Sequence, residues 1–363
     1  MKLRGVTLVY GPPGSGKTTL TAWYVHGNYD KVFWVSAFED EVAFRKNMAA
    51  LGYDFGDRLV FWEAPLAEAG AFFNTLVDSV IRERPGALVI DSITEFLSLG
   101  GGVDVIHNVV YRVIKQAGID VFLTAEREVA EKVAYIADNV IELVYDLKPY
   151  GAIREILVKK VRGGKAGYSV PFVIAEGSGV ILFEESTAPT SAVEVVETGW
   201  CLDAAAGGLY KGLLHSVVGP MGAGKNWFMI NTARALMERG RKVRYIDMAT
   251  GGLIYAETRG VPALKMEMNF EELLVTLYKL AREGYDAVFI RGLDLVRAMY
   301  GDESLYKVLK VLRKIAQMGP AIVVSLRDLE KFDMFFDVVI RVDKGVVQAV
   351  RAPGGKVGVD IPC

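Results

Sequence analysis

The chain has 363 residues and a formal net charge of -2. One hydrophobic core rarely serves a chain of this length, so two domains are expected. A content of 52% hydrophobic and 24% charged residues is typical of globular proteins and argues against extensive disorder. The near-neutral net charge gives no global attraction to nucleic acid.

Membrane and disulfide signals are absent from the sequence. No stretch reaches the roughly 18 uncharged apolar residues of a transmembrane helix. The first apolar run, Val6–Tyr10, is too short for the core of a signal peptide. The two cysteines, Cys201 and Cys363, show no metal-ligand spacing. We therefore expect a cytoplasmic protein with no membrane association and no disulfide framework.

Short apolar runs alternate with amphipathic segments through the first half of the chain. Helical spacing occurs at Phe72–Glu83 and Val105–Gln116. Buried strands that alternate with helices predict a mostly parallel sheet covered by helices on both faces. The strands predicted in this half are Val6–Tyr10, Val32–Val35, Ala87–Ile90, Asp120–Thr124 and Val140–Val144.

The second half repeats this pattern. Gly11 and Gly219 begin glycine-lysine loops 208 residues apart, and Asp91 and Arg291 follow matching strands 200 residues apart. Similar offsets indicate a tandem duplication. We expect an α/β protein with domains at 1–188 and 198–363, joined near a linker-like segment at 186–197. The strands predicted here are Leu213–Val218, Val243–Ile246, Ala287–Ile290, Ala321–Ser325 and Val338–Val342.

The first glycine-lysine loop matches a P-loop at every fixed position, with a predicted strand before it and a helix after it. Its glycines let backbone N–H groups approach phosphate oxygens, and the helix directs its positive end at the same anion. Lys17 is expected to reach the outer phosphates, and the Thr18 hydroxyl to ligate Mg²⁺. We therefore predict an ATP-Mg²⁺ site. Its binding residues are Gly11, Gly14, Ser15, Gly16, Lys17, Thr18 and Thr19.

Three carboxylates follow predicted strands and are expected at the same edge of the sheet as the loop. Asp91 stands where a Walker B carboxylate would hold Mg²⁺, although an aspartate there is often a turn or cap residue. Glu39 and Asp40 follow the second strand. Either could orient and partly deprotonate the attacking water. An acidic run of this kind can also simply solvate the start of a helix.

These motifs resemble, over essentially the whole chain, the KaiC family of two-domain RecA-type P-loop ATPases. The segment 38–41 is similar to the paired catalytic acids of that family, with Asp40 in place of the second glutamate. The segment 154–163 resembles the Lys-x-Arg strand, whose two cations reach the γ-phosphate bound by a neighbouring subunit. The resemblance implies RecA-like domains, a hexameric homo-oligomer, and Lys160 and Arg162 as catalytic residues acting in trans.

The second loop, at 219–226, keeps its glycines and Lys225, so it can still cradle phosphate. Asn226 replaces the hydroxyl that should meet Mg²⁺, and Arg291 replaces Asp91, which turns attraction for the metal into repulsion. We expect no ATP hydrolysis in this domain and a role as scaffold or sensor. Arg291 is then either an ion-pair residue or a ligand for a phosphate bound without metal.

Three functions fit this sequence. One is a KaiC-like regulatory ATPase that hydrolyses ATP slowly in its first domain. Another is a non-hydrolysing nucleotide switch that acts through a protein partner. The last is a RadA-like DNA-associated ATPase, because RecA-type folds also serve that role. The segments Ser98–Val105 and Glu126–Glu131 carry few of the cations and aromatics that hold single strands, so nucleic acid is disfavoured as a partner.

Overall fold

The computed structural model describes residues 2–64, 69–98, 102–104, 106–108, 110, 117–148, 151–184, 193–249 and 252–363. The chain divides into two compact units, one of residues 1–147 and 153–182, the other of residues 148–152 and 183–363. Most of the linker-like segment and of the helix predicted at Val105–Gln116 lies outside the described residues, as does part of Ser98–Val105.

The described part of the first unit contains one mixed sheet of nine strands. Its strands are β1 Val6–Tyr10, β2 Val32–Ser36, β3 Leu59–Glu63, β4 Ala87–Asp91, β5 Asp120–Ala125, β6 Asn139–Lys148, β7 Gly151–Val161, β8 Tyr168–Ala175 and β9 Gly179–Leu182. Their order across the sheet is β3-β2-β4-β5-β1-β6-β7-β8-β9. Pairing is parallel from β3 to β6 and antiparallel from β7 to β9.

The main sheet of the second unit has the same strand order. Its strands are β12 Leu214–Val218, β13 Val243–Asp247, β14 Ala263–Lys265, β15 Ala287–Arg291, β16 Ala321–Leu326, β17 Val338–Asp343, β18 Val346–Arg351 and β19 Asp360–Pro362. They are arranged β14-β13-β15-β16-β12-β17-β18-β19, with parallel pairing as far as β17 and antiparallel pairing beyond it. A separate antiparallel pair joins β10 Val195–Val196 to β11 Leu209–Tyr210.

Helices connect the strands in both units. The helices of the first unit are α1 Lys17–Asn28, α2 Glu41–Ala50, α3 Ala69–Glu83, α4 Ile93–Ser98 and α5 Arg127–Val133. Those of the second are α6 Cys201–Ala206, α7 Lys225–Glu238, α8 Gly252–Glu257, α9 Phe270–Arg282 and α10 Leu293–Ala316. Short 3₁₀ helices occur at Gly56–Arg58 and Glu330–Phe335.

Both faces of the first sheet are buried. Along β2, Phe33 and Val35 pack into one hydrophobic core, whereas Val32 and Trp34 pack into another on the opposite face. This alternation follows from the two-residue period of a strand, and it explains why the strand is apolar at every position. The prediction of an α/β protein with two mostly parallel sheets is confirmed.

Within the described residues, no helix is both long and apolar enough to cross a membrane.

The prediction that the two cysteines form no disulfide is wrong. Cys201, at the start of α6, is bonded to Cys363, which directly follows β19. The two residues are 162 positions apart, and their Cα atoms are 5.6 Å apart. Sequence spacing could not reveal this pair, because it depends on β19 joining the sheet edge beside α6.

We predict that reduction of this disulfide lowers the free energy of unfolding of the second unit by about 2–5 kcal/mol, since the bond restricts the unfolded chain. Thermal unfolding with and without dithiothreitol measures the effect. A Cys201→Ser/Cys363→Ser protein is the control, and its stability should not respond to dithiothreitol. An equal response of both proteins, or none in either, would contradict the prediction.

Candidate functional site

The first loop joins β1 to α1 and depends on glycine at three positions. Gly14 and Gly16 have φ angles of 75° and 96°, a left-handed region that strains other residues. A Cβ on Gly11 would lie 2.6 Å from the carbonyl oxygen of Leu143. The backbone therefore requires these glycines, and α1 begins at Lys17 with its N-terminus at the loop.

Lys17 lies across the loop. Its Nζ donates to the carbonyl oxygens of Gly11, at 3.1 Å, and Pro12, at 3.2 Å, and forms an ion pair with Glu126 at 2.7 Å. Glu126 directly follows β5, which pairs with β1 in the sheet. Sequence motifs do not reveal Glu126 as a site residue, because it reaches the loop only through the adjacency of β5 to β1. The ammonium group is thus held by two carbonyls and one carboxylate.

Thr18 and Asp91, the predicted metal ligands, are in contact. The Thr18 hydroxyl donates to Asp91 Oδ2 at 2.8 Å, and the Thr124 hydroxyl donates to Asp91 Oδ1 at 2.5 Å. Burial raises the pKa of Asp91, while the hydroxyls of Thr124 and Thr18 and the charge of Lys17 act in the opposite direction. Thr124 was not predicted either. Like Glu126, it comes close to the loop only because β5 is adjacent to β1 in the sheet.

The residues around the first loop fit a phosphate group with Mg²⁺. Ser15 Oγ is buried and has no hydrogen-bond partner within the described residues, so a polar atom is left to be satisfied. Thr19 is half-buried in the first turn of α1. Among the described residues, no cluster of three or more His, Cys, Asp or Glu could hold a metal alone. Two protein oxygens, from Thr18 and Asp91, suit Mg²⁺, which usually takes its other ligands from phosphates and water.

Glu39 and Asp40 have different surroundings. Glu39 is half-buried and accepts a hydrogen bond of 2.5 Å from Asn47 Nδ2. Burial raises its pKa, the hydrogen bond from Asn47 lowers it, and the charges of Asp91 and Asp40 raise it further. Asp40 is exposed and caps α2 by accepting from the Ala43 N–H at 2.7 Å. Of the two, Glu39 is the more buried carboxylate, and Asp40 has a structural role at a helix start.

Lys160 and Arg162 lie away from the loop of their own chain. Lys160 Nζ donates to the Ala137 carbonyl at 2.6 Å, and Arg162 pairs with Asp138, which also accepts from the Val6 N–H. Since Val6 begins β1 and the loop follows its other end, five residues at about 3.3 Å each put Arg162 roughly 16 Å from the loop. The structure does not bring these two cations to the phosphate loop of the same chain.

The second loop has the same backbone form as the first. Gly222 and Gly224 have φ angles of 79° and 94°, and a Cβ on Gly219 would lie 2.3 Å from the carbonyl oxygen of Val342. Lys225 Nζ donates to the Gly219 carbonyl and, at 3.0 Å, to that of Pro220. The phosphate cradle is therefore retained.

In the second unit, different side chains occupy the position of the predicted metal ligand Asp91 and its neighbour. Arg291 Nη1 lies 3.1 Å from Asp247 Oδ1, and Asp247 also accepts from the Ala249 and Gly252 N–H groups. The first unit has Ser36 paired with Asp91 at this register, where the second has Asp247 paired with Arg291. The carboxylate of the second unit, that of Asp247, is therefore on the neighbouring strand, where Arg291 and two backbone N–H groups bind it.

Asn226 is also engaged internally, because its Oδ1 accepts a hydrogen bond from the hydroxyl of buried Tyr245. Both side chains that replace the predicted metal ligands thus have internal partners.

Comparison with protein-family models and with curated proteins finds no match.

We predict that ATP-Mg²⁺ stabilises the protein through the first loop. A ligand at about 100 times its Kd stabilises the bound protein by roughly 2.7 kcal/mol. Lys17→Ala should remove the thermal shift caused by ATP-Mg²⁺, while the matched variant Lys225→Ala should keep most of it. Thermal unfolding with and without ATP-Mg²⁺ measures both shifts. A larger loss in Lys225→Ala than in Lys17→Ala would refute this assignment.

Proposed function

We propose that the chain is a KaiC-like, RecA-type regulatory ATPase that binds and hydrolyses ATP-Mg²⁺ in its first unit, with the second unit as a sensor or scaffold. The contact of Thr18 with Asp91, beside Lys17 on the glycine loop, carries this proposal. A turn hydroxyl, a buried carboxylate and an ammonium group at one helix N-terminus are the side chains that a nucleotide phosphate with Mg²⁺ requires.

Each side chain has a separate role. The loop N–H groups and Lys17 bind phosphate oxygens. The phosphate then replaces Glu126 as the ionic partner of Lys17. Thr18 and Asp91 hold Mg²⁺, which supplies positive charge to the β- and γ-phosphates when bound. Thr124 keeps Asp91 in place through its hydrogen bond.

Glu39 distinguishes an ATPase from a switch that only binds nucleotide. It follows the carboxyl end of β2, which two strands separate from β1, and this end is on the same edge of the sheet as the loop. Asn47 fixes its carboxylate, and burial favours its proton-bound form relative to an exposed glutamate. A carboxylate with a raised pKa is better suited to accept a proton from water near neutral pH.

We expect Glu39→Gln to keep ATP binding and to lower kcat by about 10²–10⁴, because an amide cannot accept the proton of water. Wild-type turnover should fall as the pH drops through the raised pKa of Glu39, since protonation removes the base, and the variant should lack this dependence. Asp40→Asn is the control, because asparagine is also a good N-cap and should preserve turnover. Unchanged turnover in Glu39→Gln would remove Glu39 from the mechanism.

Because Arg162 is remote from its own loop, a catalytic role requires a second copy of the chain. A cation supplied in trans can contribute about 10³–10⁵ in rate, and head-to-tail contacts can close into rings such as the hexamer implied by the family resemblance. Arg162→Ala and Lys17→Ala should each be inactive alone, and mixed assemblies should recover part of the activity.

Turnover of the mixture, under conditions where subunits exchange, tests this assignment. Arg4→Ala is the matched control, since Arg4 is an exposed arginine that pairs with Asp120 at the same edge as Arg162. It should stay active by itself. A mixture as inactive as its components, or a strict monomer with wild-type turnover, would show that the cations do not act in trans.

A further inference from the structure

The second loop lies beside a large cavity of about 1110 Å³ within the second unit. Among the described residues, five cationic and three acidic side chains line it. Arg297 is neutralised by Asp302 and Asp328, each 2.9 Å away. Arg291 has its ion pair with buried Asp247. Asp247 and Glu330, which pair with Arg291 and Arg297 from outside the lining, balance the two extra cations, so the positions of the charges matter more than their sum.

Lys225 and Arg327 differ from Arg291 and Arg297 in their partners. Lys225 Nζ contacts the carbonyls of Gly219 and Pro220, and neither cation forms an ion pair within the part of the chain that the structure describes. Burial lowers the pKa of Lys225; nearby Asp294 raises it and Arg327 lowers it. The lysine therefore lacks the carboxylate partner that its counterpart has in the first unit, and an anion would stabilise its charge.

Arg327 occupies the place that Glu126 has in the first unit. Each is the first residue after the strand that pairs with the loop strand. The Glu126 N–H donates to Thr94 Oγ1 at 2.9 Å, and the Arg327 N–H donates to Asp294 Oδ1 at 3.0 Å. The backbone at this position is thus equivalent in both units, and the charge of the side chain is reversed.

Both carboxylates beside the first loop, Asp91 and Glu126, therefore correspond to arginines, Arg291 and Arg327, beside the second. We propose that the second unit binds a nucleoside polyphosphate without a divalent cation, with the loop, Lys225 and the two arginines neutralising its phosphates. Guanidinium groups bind phosphate strongly and keep their charge at all physiological pH values. This site does not depend on hydrolysis in the first unit.

The cavity also has a surface for a nucleoside. Trp227 and Tyr255 line it with partly exposed rings, and Leu295 adds apolar area. Aromatic faces stack on bases of any kind. The volume is slightly above the range of about 300–1,000 Å³ that is typical of small-molecule sites, so a whole nucleotide can be accommodated.

The test uses the full chain carrying Lys17→Ala, so that binding at the first loop is suppressed. Isothermal titration with ATP in EDTA should show about one site per chain, and excess Mg²⁺ should weaken this binding because it neutralises the phosphates and adds a cation between the arginines. A requirement for Mg²⁺, or no binding at millimolar ATP in EDTA, would overturn the proposal.

Further substitutions in the same background locate the site. Arg327→Gln and Lys225→Ala should each weaken binding in EDTA about 10-fold or more, as expected for loss of a charged hydrogen bond. Arg327→Glu, which restores the charge found in the first unit, should weaken it further. Arg327 is exposed, so these variants do not disturb the core.

Arg234→Gln is the control, since Arg234 is a partly exposed arginine on α7 that pairs with Glu238 and does not line the cavity. Its binding should equal that of the parent. An ATP affinity that is unchanged in the Arg327 and Lys225 variants would refute the site. Inorganic tripolyphosphate should bind more weakly than ATP, and equal affinity would refute the nucleoside assignment.

Discussion

The charge of one lysine at the start of a helix organises each of the two loop regions. Its ammonium group is partly withdrawn from water by the glycine loop, and loop carbonyls alone do not carry the negative charge to balance it. In the first unit Glu126 forms an ion pair with Lys17, and Asp91 adds negative charge nearby. In the second unit these positions are cationic, so Lys225 has no such partner among the described residues. The rest of each site follows from that difference.

Strand order explains how a few substitutions alter the charges beside the loop. In both sheets one strand separates the loop strand from the strand that carries Asp91 or Arg291. The ends of these three parallel strands therefore meet at one edge, where a side chain can change with little effect on the cores. The cradle itself depends on backbone conformation and on glycine, and it is the same in both units.

Much of the architecture could be predicted from the sequence, because continuous apolar runs are typical of strands buried on both faces. The predicted strands occur with small changes at their ends, although β6 extends to Lys148. Lys17, Thr18 and Asp91 could be selected as candidates because the roles proposed for them depend on local motifs. Thr124, Glu126 and the partner of Arg291 were missed, since they matter only through the adjacency of strands distant in sequence. The disulfide was missed for the same reason, because it joins elements that are distant in sequence.

The ion pair between Asp247 and Arg291 makes the two positions evolutionarily interdependent. Aspartate at 291 alone would place a second carboxylate beside buried Asp247, and serine at 247 alone would leave the guanidinium without that partner. Removing one member of a buried pair typically costs about 3–5 kcal/mol, a large share of the stability of a domain. Each of these two positions can therefore take the residue of the first unit at low cost only when the other changes with it.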